Sequence, residues 1–152
     1  MKKRALQRVI SRLEERAQAP SPAYLVPGLW LDPHGSLSTQ SVVPEEYFLQ
    51  SLRRIVRSPR RKRVTDGDMP GDWGKNAIAY NLLVRYGAAF DHNGDGRIAC
   101  DPLASGWRET GTFLKAITML PYIRSLGCNT IHLLPITAIG QDGNKGDMGS
   151  AF

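Results

Sequence analysis

Apolar residues in the first part of this chain recur with a helical period, and those in the second part follow a strand–helix–strand order. Leu6, Val9, Ile10 and Leu13 share one face, which predicts a helix over residues 4–18. That face is narrow and the rest of the segment is charged, so the helix needs a partner surface. Docking on its own domain is expected, in preference to lying on a membrane. Pro20, Pro22 and Pro27 then break regular structure, and Asp32 to Ser41 is rich in turn formers. A second helix is predicted from Pro44 to Arg57. Pro44 suits its first position, Glu45 and Glu46 sit at the positive end of its dipole, and Arg53, Arg54 and Arg57 sit at the other end. Its expected buried face is Phe48, Leu52, Ile55 and Val56, and Ser58-Pro59 ends it. Residues 65–76, with Gly67, Pro70, Gly71 and Gly74, are expected to form a loop. This places a boundary between a mostly helical N-terminal extension, residues 1–75, and a core domain, residues 76–152.

The segment Ala77–Phe90 fits two periods. Ile78, Tyr80, Leu82 and Val84 alternate, whereas Ile78, Leu82, Tyr86 and Phe90 recur every four residues. Gly87-Ala88-Ala89 weakens a long strand, so a strand is expected over Ile78–Arg85. Thr112 can cap a following helix that carries Phe113, Ala116, Ile117, Leu120 and Ile123 on one side, and Gly127 can end it in the left-handed conformation. Pro121 inside this pattern predicts a kink or a second helical piece. Thr130–Ile136 is then a short apolar strand, and Thr137 to Ser150 a glycine-rich loop. No internal repeat is present. The expected fold class is α/β, with two parallel strands joined by a helix.

Composition adds bounds. Hydrophobic residues make up 41% of 152, ordinary for one soluble domain, and no segment has the ~20 apolar residues needed to span a bilayer. The start, Met1-Lys2-Lys3-Arg4, is basic like a secretion signal. Arg8, Arg12, Glu14, Glu15 and Arg16 interrupt any apolar core for one, which favours a cytoplasmic protein or a chain that has lost its true start. Cys100 and Cys128 have neither metal-ligand spacing nor a disulfide framework and are read as free thiols. The net charge of +6 lies entirely in residues 1–75, where 14 Lys and Arg face 8 Asp and Glu. Its focus is Arg53, Arg54, Arg57, Arg60, Arg61, Lys62 and Arg63. Such a run can bind phosphate backbones. No aromatic residue is interleaved with it, so a solvated helix end and linker is the preferred account and nucleic acid is not the expected partner.

The chemistry-bearing stretch is Asp91-His92-Asn93-Gly94-Asp95-Gly96-Arg97-Ile98. Calcium takes six to eight oxygen ligands, and oxygens at alternate positions of a tight loop converge on one point. Asp91, Asn93 and Asp95 supply three side chains, Gly96 permits the turn, and the backbone carbonyl of Arg97 is a fourth ligand. Where a helix–loop–helix site has its closing Glu, this chain has Pro102. Ala99 offers nothing, and Asp101 is the only nearby carboxylate to complete the shell. The expectation is a structural calcium ion. The alternative is an Asx-rich turn that binds nothing.

The span from Ala79-Tyr80-Asn81-Leu82-Leu83-Val84-Arg85 through Phe90-Asp91-His92-Asn93-Gly94-Asp95-Gly96 resembles the first barrel strand and calcium loop of the α-amylase superfamily of glycoside hydrolases. Leu120 to Ile136 is similar to that family's first helix and second strand, and Gly146 to Phe152 to its loop toward the substrate cleft. The resemblance covers residues 76–152. It implies the start of a TIM (β/α)₈ barrel, which typically needs ~250 residues, so the chain is expected to be the N-terminal part of a longer enzyme and inactive alone. It further implies an α-glucan or oligosaccharide substrate and cleavage or transfer with retention, by two acids about 5–5.5 Å apart. Those acids are expected on later strands, so no catalytic residue is assigned here. Phe152 stands where the family has a sugar-stacking tyrosine and is the candidate substrate contact. Asp142 and Asp147 are read as solvated loop acids, and His132 as a buried strand residue. Trp30, Trp73 and Trp107 are expected to pack the extension against the barrel. Two alternatives remain: a non-catalytic calcium-binding module in which Ala77–Phe90 is helical, and a basic nucleic-acid adaptor.

Overall fold

The computed structural model describes residues 2–58 and 72–136. Helix α1 spans Lys2–Arg16 and α3 spans Pro44–Arg57, both close to the bounds the apolar spacing predicts. Between them the prolines do not abolish regular structure. Tyr24–Pro27 (β1) pairs antiparallel with Thr39–Val42 (β2), and a helical turn, α2 at Gly28–Leu31, opens the connection. Tyr24 and Val26 alternate inward, a strand period that the surrounding prolines obscure in the sequence. Pro27 closes the strand, where its missing N–H costs no ladder bond. The extension is therefore a helix–hairpin–helix unit.

On α3 the buried face is Tyr47, Phe48, Leu49 and Leu52, while Ile55 is 39% and Val56 52% exposed. The expected stripe is rotated because burial concentrates in the first turns, where these side chains meet Ile10 and Leu13 of α1 and Tyr24 and Val26 of β1. Trp107, Leu114 and Ile117 from the second half pack against the same cluster. The two segments thus share one core.

The second half contains the expected parallel pair. Ala79–Leu82 (β3) lies beside Thr130–Leu133 (β4), with Ala79 opposite Thr130 and Leu82 opposite Leu133. Both strands are shorter than the apolar runs suggest. After Leu82 the chain turns into a short helix, α4 at Val84–Gly87, rather than extending to Arg85. Gly111 explains the turn. Its N–H donates to the Arg85 carbonyl at 2.8 Å, and a Cβ there would lie 1.7 Å from the Val84 carbonyl oxygen. No side chain fits so close an approach.

Helix α5, Phe113–Ser125, joins the strands. Thr112 caps it by accepting from the Lys115 N–H, and Gly127 follows it with φ +86°. The helix continues through Pro121 as one element. Phe113 is 53% exposed, whereas Lys115, Ala116, Thr118, Met119 and Ile123 are buried. Helix α5 contacts α2 and α3 as well as the strands' side chains, so burial spreads around it and no single stripe carries the packing. The fold is mixed α/β with two small two-stranded sheets, and the described residues form no closed barrel. Among them, no helix is long and apolar enough to cross a membrane.

Candidate functional site: the acidic loop

Beyond β3 and α4, the chain enters the acidic loop past buried Ala88. Gly94 (φ +78°) and Gly96 (φ +83°) adopt the left-handed region that lets the chain double back within a few residues. The turn aims backbone N–H groups inward. Asp91 Oδ1 accepts from Gly94 N–H at 2.7 Å and Asp95 N–H at 3.2 Å, while Oδ2 accepts from Gly96 N–H at 2.7 Å. Asn93 Oδ1 accepts from Asp95 N–H at 2.9 Å, and Asp95 Oδ1 accepts from Arg97 N–H at 2.9 Å. Desolvation raises the Asp91 pKa, but the backbone groups of Gly96, Gly94, Asp95 and Asn93 outweigh it and hold the carboxyl below its ordinary range.

The loop is fastened from below by a residue that sequence reasoning passed over. Glu109 is fully buried and its carboxylate takes three backbone donors. Oε1 accepts from His92 N–H at 2.8 Å and Asn93 N–H at 3.1 Å, and Oε2 accepts from Ala99 N–H at 2.8 Å. Beneath it, Lys115 Nζ donates to the carbonyls of Glu109 at 2.7 Å and Thr110 at 2.9 Å. Burial lowers the Lys115 pKa to about 7, against the opposing pull of the Glu109 charge. Nothing in the sequence spacing links Glu109 to the loop, because its contact with His92 spans seventeen residues of irregular chain.

His92 points the other way, into the first half. It is buried, stacks on Tyr24 with ring centroids 3.7 Å apart, and its Nδ1 meets the Leu25 carbonyl. The ring must carry a proton on Nδ1 to donate there, and its buried Nε2 has no partner among the described residues. Burial pulls the His92 pKa down to about 4. Leu25 N–H donates in turn to the His92 carbonyl at 2.9 Å. A second junction lies at Glu45, fully buried on α3. Its carboxylate accepts from Ser21 Oγ at 2.6 Å and Trp107 Nε1 at 3.3 Å, with Arg16 stacked over the Trp107 ring. Trp107 is therefore packing, as is Trp30 against Phe90. The side chain of Trp73 lies outside the described part.

The structure brings Asp91, Asn93 and Asp95 into one loop with the Arg97 backbone, but not Asp101. Asp101 is exposed and has no bond to the loop. Glu109 approaches the loop instead, through backbone donors only. The donor chemistry suits a hard cation in part. Four groups offer oxygens; Asp91 Oδ2, Asn93 Oδ1 and Asp95 Oδ1 keep acceptor capacity beside one N–H bond each, whereas Asp91 Oδ1 already accepts two. Against this, Asn93 Nδ2 donates to Asp95 Oδ2 at 2.9 Å, so an amide hydrogen now occupies a lone pair that an ion would use. Among the described residues no three His, Cys, Asp or Glu side chains converge. The set fits a cation that keeps several waters and draws on Asp91, Asn93, Asp95 and the Arg97 carbonyl.

His132, expected to be buried, is exposed and lies 2.9 Å from Asn81 Oδ1 on the neighbouring strand. Cys100 and Cys128 are free. Phe152, Asp142, Asp147 and the run Arg60 to Arg63 lie outside the described residues. Fold and site together define a mixed α/β protein with a glycine-turned acidic loop beyond a parallel strand. No family model and no curated protein matches this chain.

Proposed function

We propose that this chain supplies the opening βαβ unit and first loop of an α-amylase-type retaining glycoside hydrolase or transglycosidase acting on α-glucans. One observation carries the proposal: β3 and β4 run parallel with α5 between them, and the described residues cover only one face of the pair. Tyr80, Leu82 and Ile131 face the packed side, whereas Ala79, Asn81 and His132, on the opposite face, are exposed. Parallel strands are stable when both faces are buried, so this pair suits a place in a larger sheet. In a barrel the loops at the C-terminal ends of strands form the working face, and the acidic loop follows the C-terminal end of β3. A calcium ion held by Asp91, Asn93, Asp95 and the Arg97 carbonyl would supply structural charge there. The residues of this chain bind and orient that loop, and the two catalytic acids belong to later strands. The alternative of a stand-alone calcium module draws no support, because it needs a helix where β3 is a strand.

The test is to read the gene past codon 152, express the whole open reading frame, and assay reducing-sugar release from soluble α-glucan. Activity that vanishes when acids on later strands become amides is the expected result. A stop codon directly after Phe152, or a full-length product without glycosyl cleavage or transfer, overturns the proposal.

A further inference from the structure

Helices α1 and α3 handle charge in opposite ways. Helix α3 has Glu45 and Glu46 in its first turn and Arg54 and Arg57 in its last, the arrangement that a helix dipole favours. Helix α1 has no acid in its first turn and begins Lys2-Lys3-Arg4, so positive charge sits at its positive end. Arg4, Arg8 and Arg12 then follow at four-residue spacing. That puts them on one face, ~6 Å apart along the axis. Like charges at this spacing repel. All three are exposed, and the ion pairs of Arg16 with Glu45 and of Arg53 with Glu14 do not include them. Arg4, Arg8 and Arg12 therefore have no acidic partner among the described residues. With Gln7 and Ser11 they line a shallow open depression of about 450 Å³. The opposite face of the helix is committed, since Ile10 and Leu13 are buried in the core.

We propose that this face of α1 binds the phosphate backbone of duplex nucleic acid without reading its sequence. Arg, Gln and Ser side chains are the groups that contact phosphate oxygens. A polyanion relieves both the repulsion along the ladder and the misfit at the helix start. The absence of aromatic residues bears on single strands, whose bases stack on aromatic rings, and not on duplex backbones. An anionic membrane fits less well: Ile10 and Leu13 of the apolar face that would insert into lipid are buried, Leu6 is partly buried, and Val9 is left exposed beside the arginines. The inference is independent of the glucan proposal.

Fluorescence anisotropy of the full chain with a labelled 20-base-pair duplex over a salt series tests it. Each phosphate neutralised contributes about 0.9 to the slope of log K against log salt. The triple variant R4Q/R8Q/R12Q should lower that slope by about 2.7 and weaken binding by at least tenfold at low salt, with an unchanged thermal melt. R124Q, on an exposed position of α5, should leave the slope unchanged. The proposal fails if duplex binding is absent, or if the triple variant binds as the parent does. It also fails if the arginine-dependent binding is to phosphatidylserine vesicles or polyglutamate and the duplex does not compete.

Discussion

Replacing Glu109 by Gln should unfasten the acidic loop from the rest of the fold. The buried carboxylate takes N–H groups from His92, Asn93 and Ala99 at 2.8, 3.1 and 2.8 Å. Glutamine can keep its oxygen toward His92 and Asn93, but its NH₂ then faces the Ala99 N–H, donor against donor. Hydrogen bonds to a charged group contribute ~1.5–3 kcal/mol, and an unpaired buried donor costs ~1–3 kcal/mol. Losing one such bond, with the other two weakened by removal of the charge, gives a destabilisation of about 2–4 kcal/mol. For a chain of this size that lowers the melting temperature by roughly 4–16 °C. Urea unfolding followed by circular dichroism gives the free energy, and an unchanged m-value would show that the unfolded state is not responsible. A second readout is Lys115. The Glu109 charge opposes the effect of burial, so in the variant the amine should titrate below about 7 by NMR. A loss under about 0.5 kcal/mol, the scatter of ordinary surface substitutions, would show that these N–H groups find other partners and that Glu109 is not the anchor.

Three further outcomes follow from the same geometry. Calcium at a hundredfold excess over its dissociation constant should raise the melting temperature by roughly 5–10 °C, and Asp91→Asn should abolish that rise while EDTA has no effect on the variant; an equal rise in both proteins places the ion elsewhere. The unfolded chain protonates His92 near pH 6.5 and the folded chain only near pH 4, so the His92 contribution to stability is complete above pH 6.5 and about 3 kcal/mol is lost as pH drops through that window. Denaturant midpoints from pH 7 to 4 should show this slope, and His92→Leu should flatten it. Gly111→Ala should lie at or beyond the upper end of the ~1–3 kcal/mol typical of overpacking, because the new Cβ meets backbone at Val84; a thermal melt within a degree or two of the parent contradicts the close approach.

What the sequence revealed depended on the range of the interaction. Helix α3 emerged with its bounds because its signals, Pro44, the flanking charges and Ser58-Pro59, all lie within or beside it. The cap at Thr112 and the left-handed Gly127 were equally local. Strand β1 was missed because Pro20, Pro22 and Pro27 dominate any window around Tyr24 and Val26, while the partner that makes them a strand lies at residues 39–42. The rotated face of α3 and the exposed Phe113 have a similar origin, since each depends on which elements arrive from elsewhere in the chain. In the loop, the Asp-x-Asn-x-Asp spacing was legible and its partners were not. Glu109, Lys115 and the Leu25 carbonyl reach it only through tertiary structure.

Those partners change how the first half of the chain should be understood. Its sequence suggests a mostly helical extension docked on a separate core domain. Yet His92, in the middle of the acidic loop, is held between Tyr24 and the Leu25 carbonyl, and its own carbonyl takes the Leu25 N–H. The loop thus has two anchors of different kinds, a buried carboxylate from residue 109 and a strand backbone from residue 25. An ion at Asp91, Asn93 and Asp95 would add a third constraint to a loop already fixed from both sides. Its contribution would then be to the turn around Asp95, where only hydrogen bonds within the loop oppose opening. Tyr24 and Leu25 are therefore structural parts of the site, although no chemistry-bearing motif in the sequence assigns them to it.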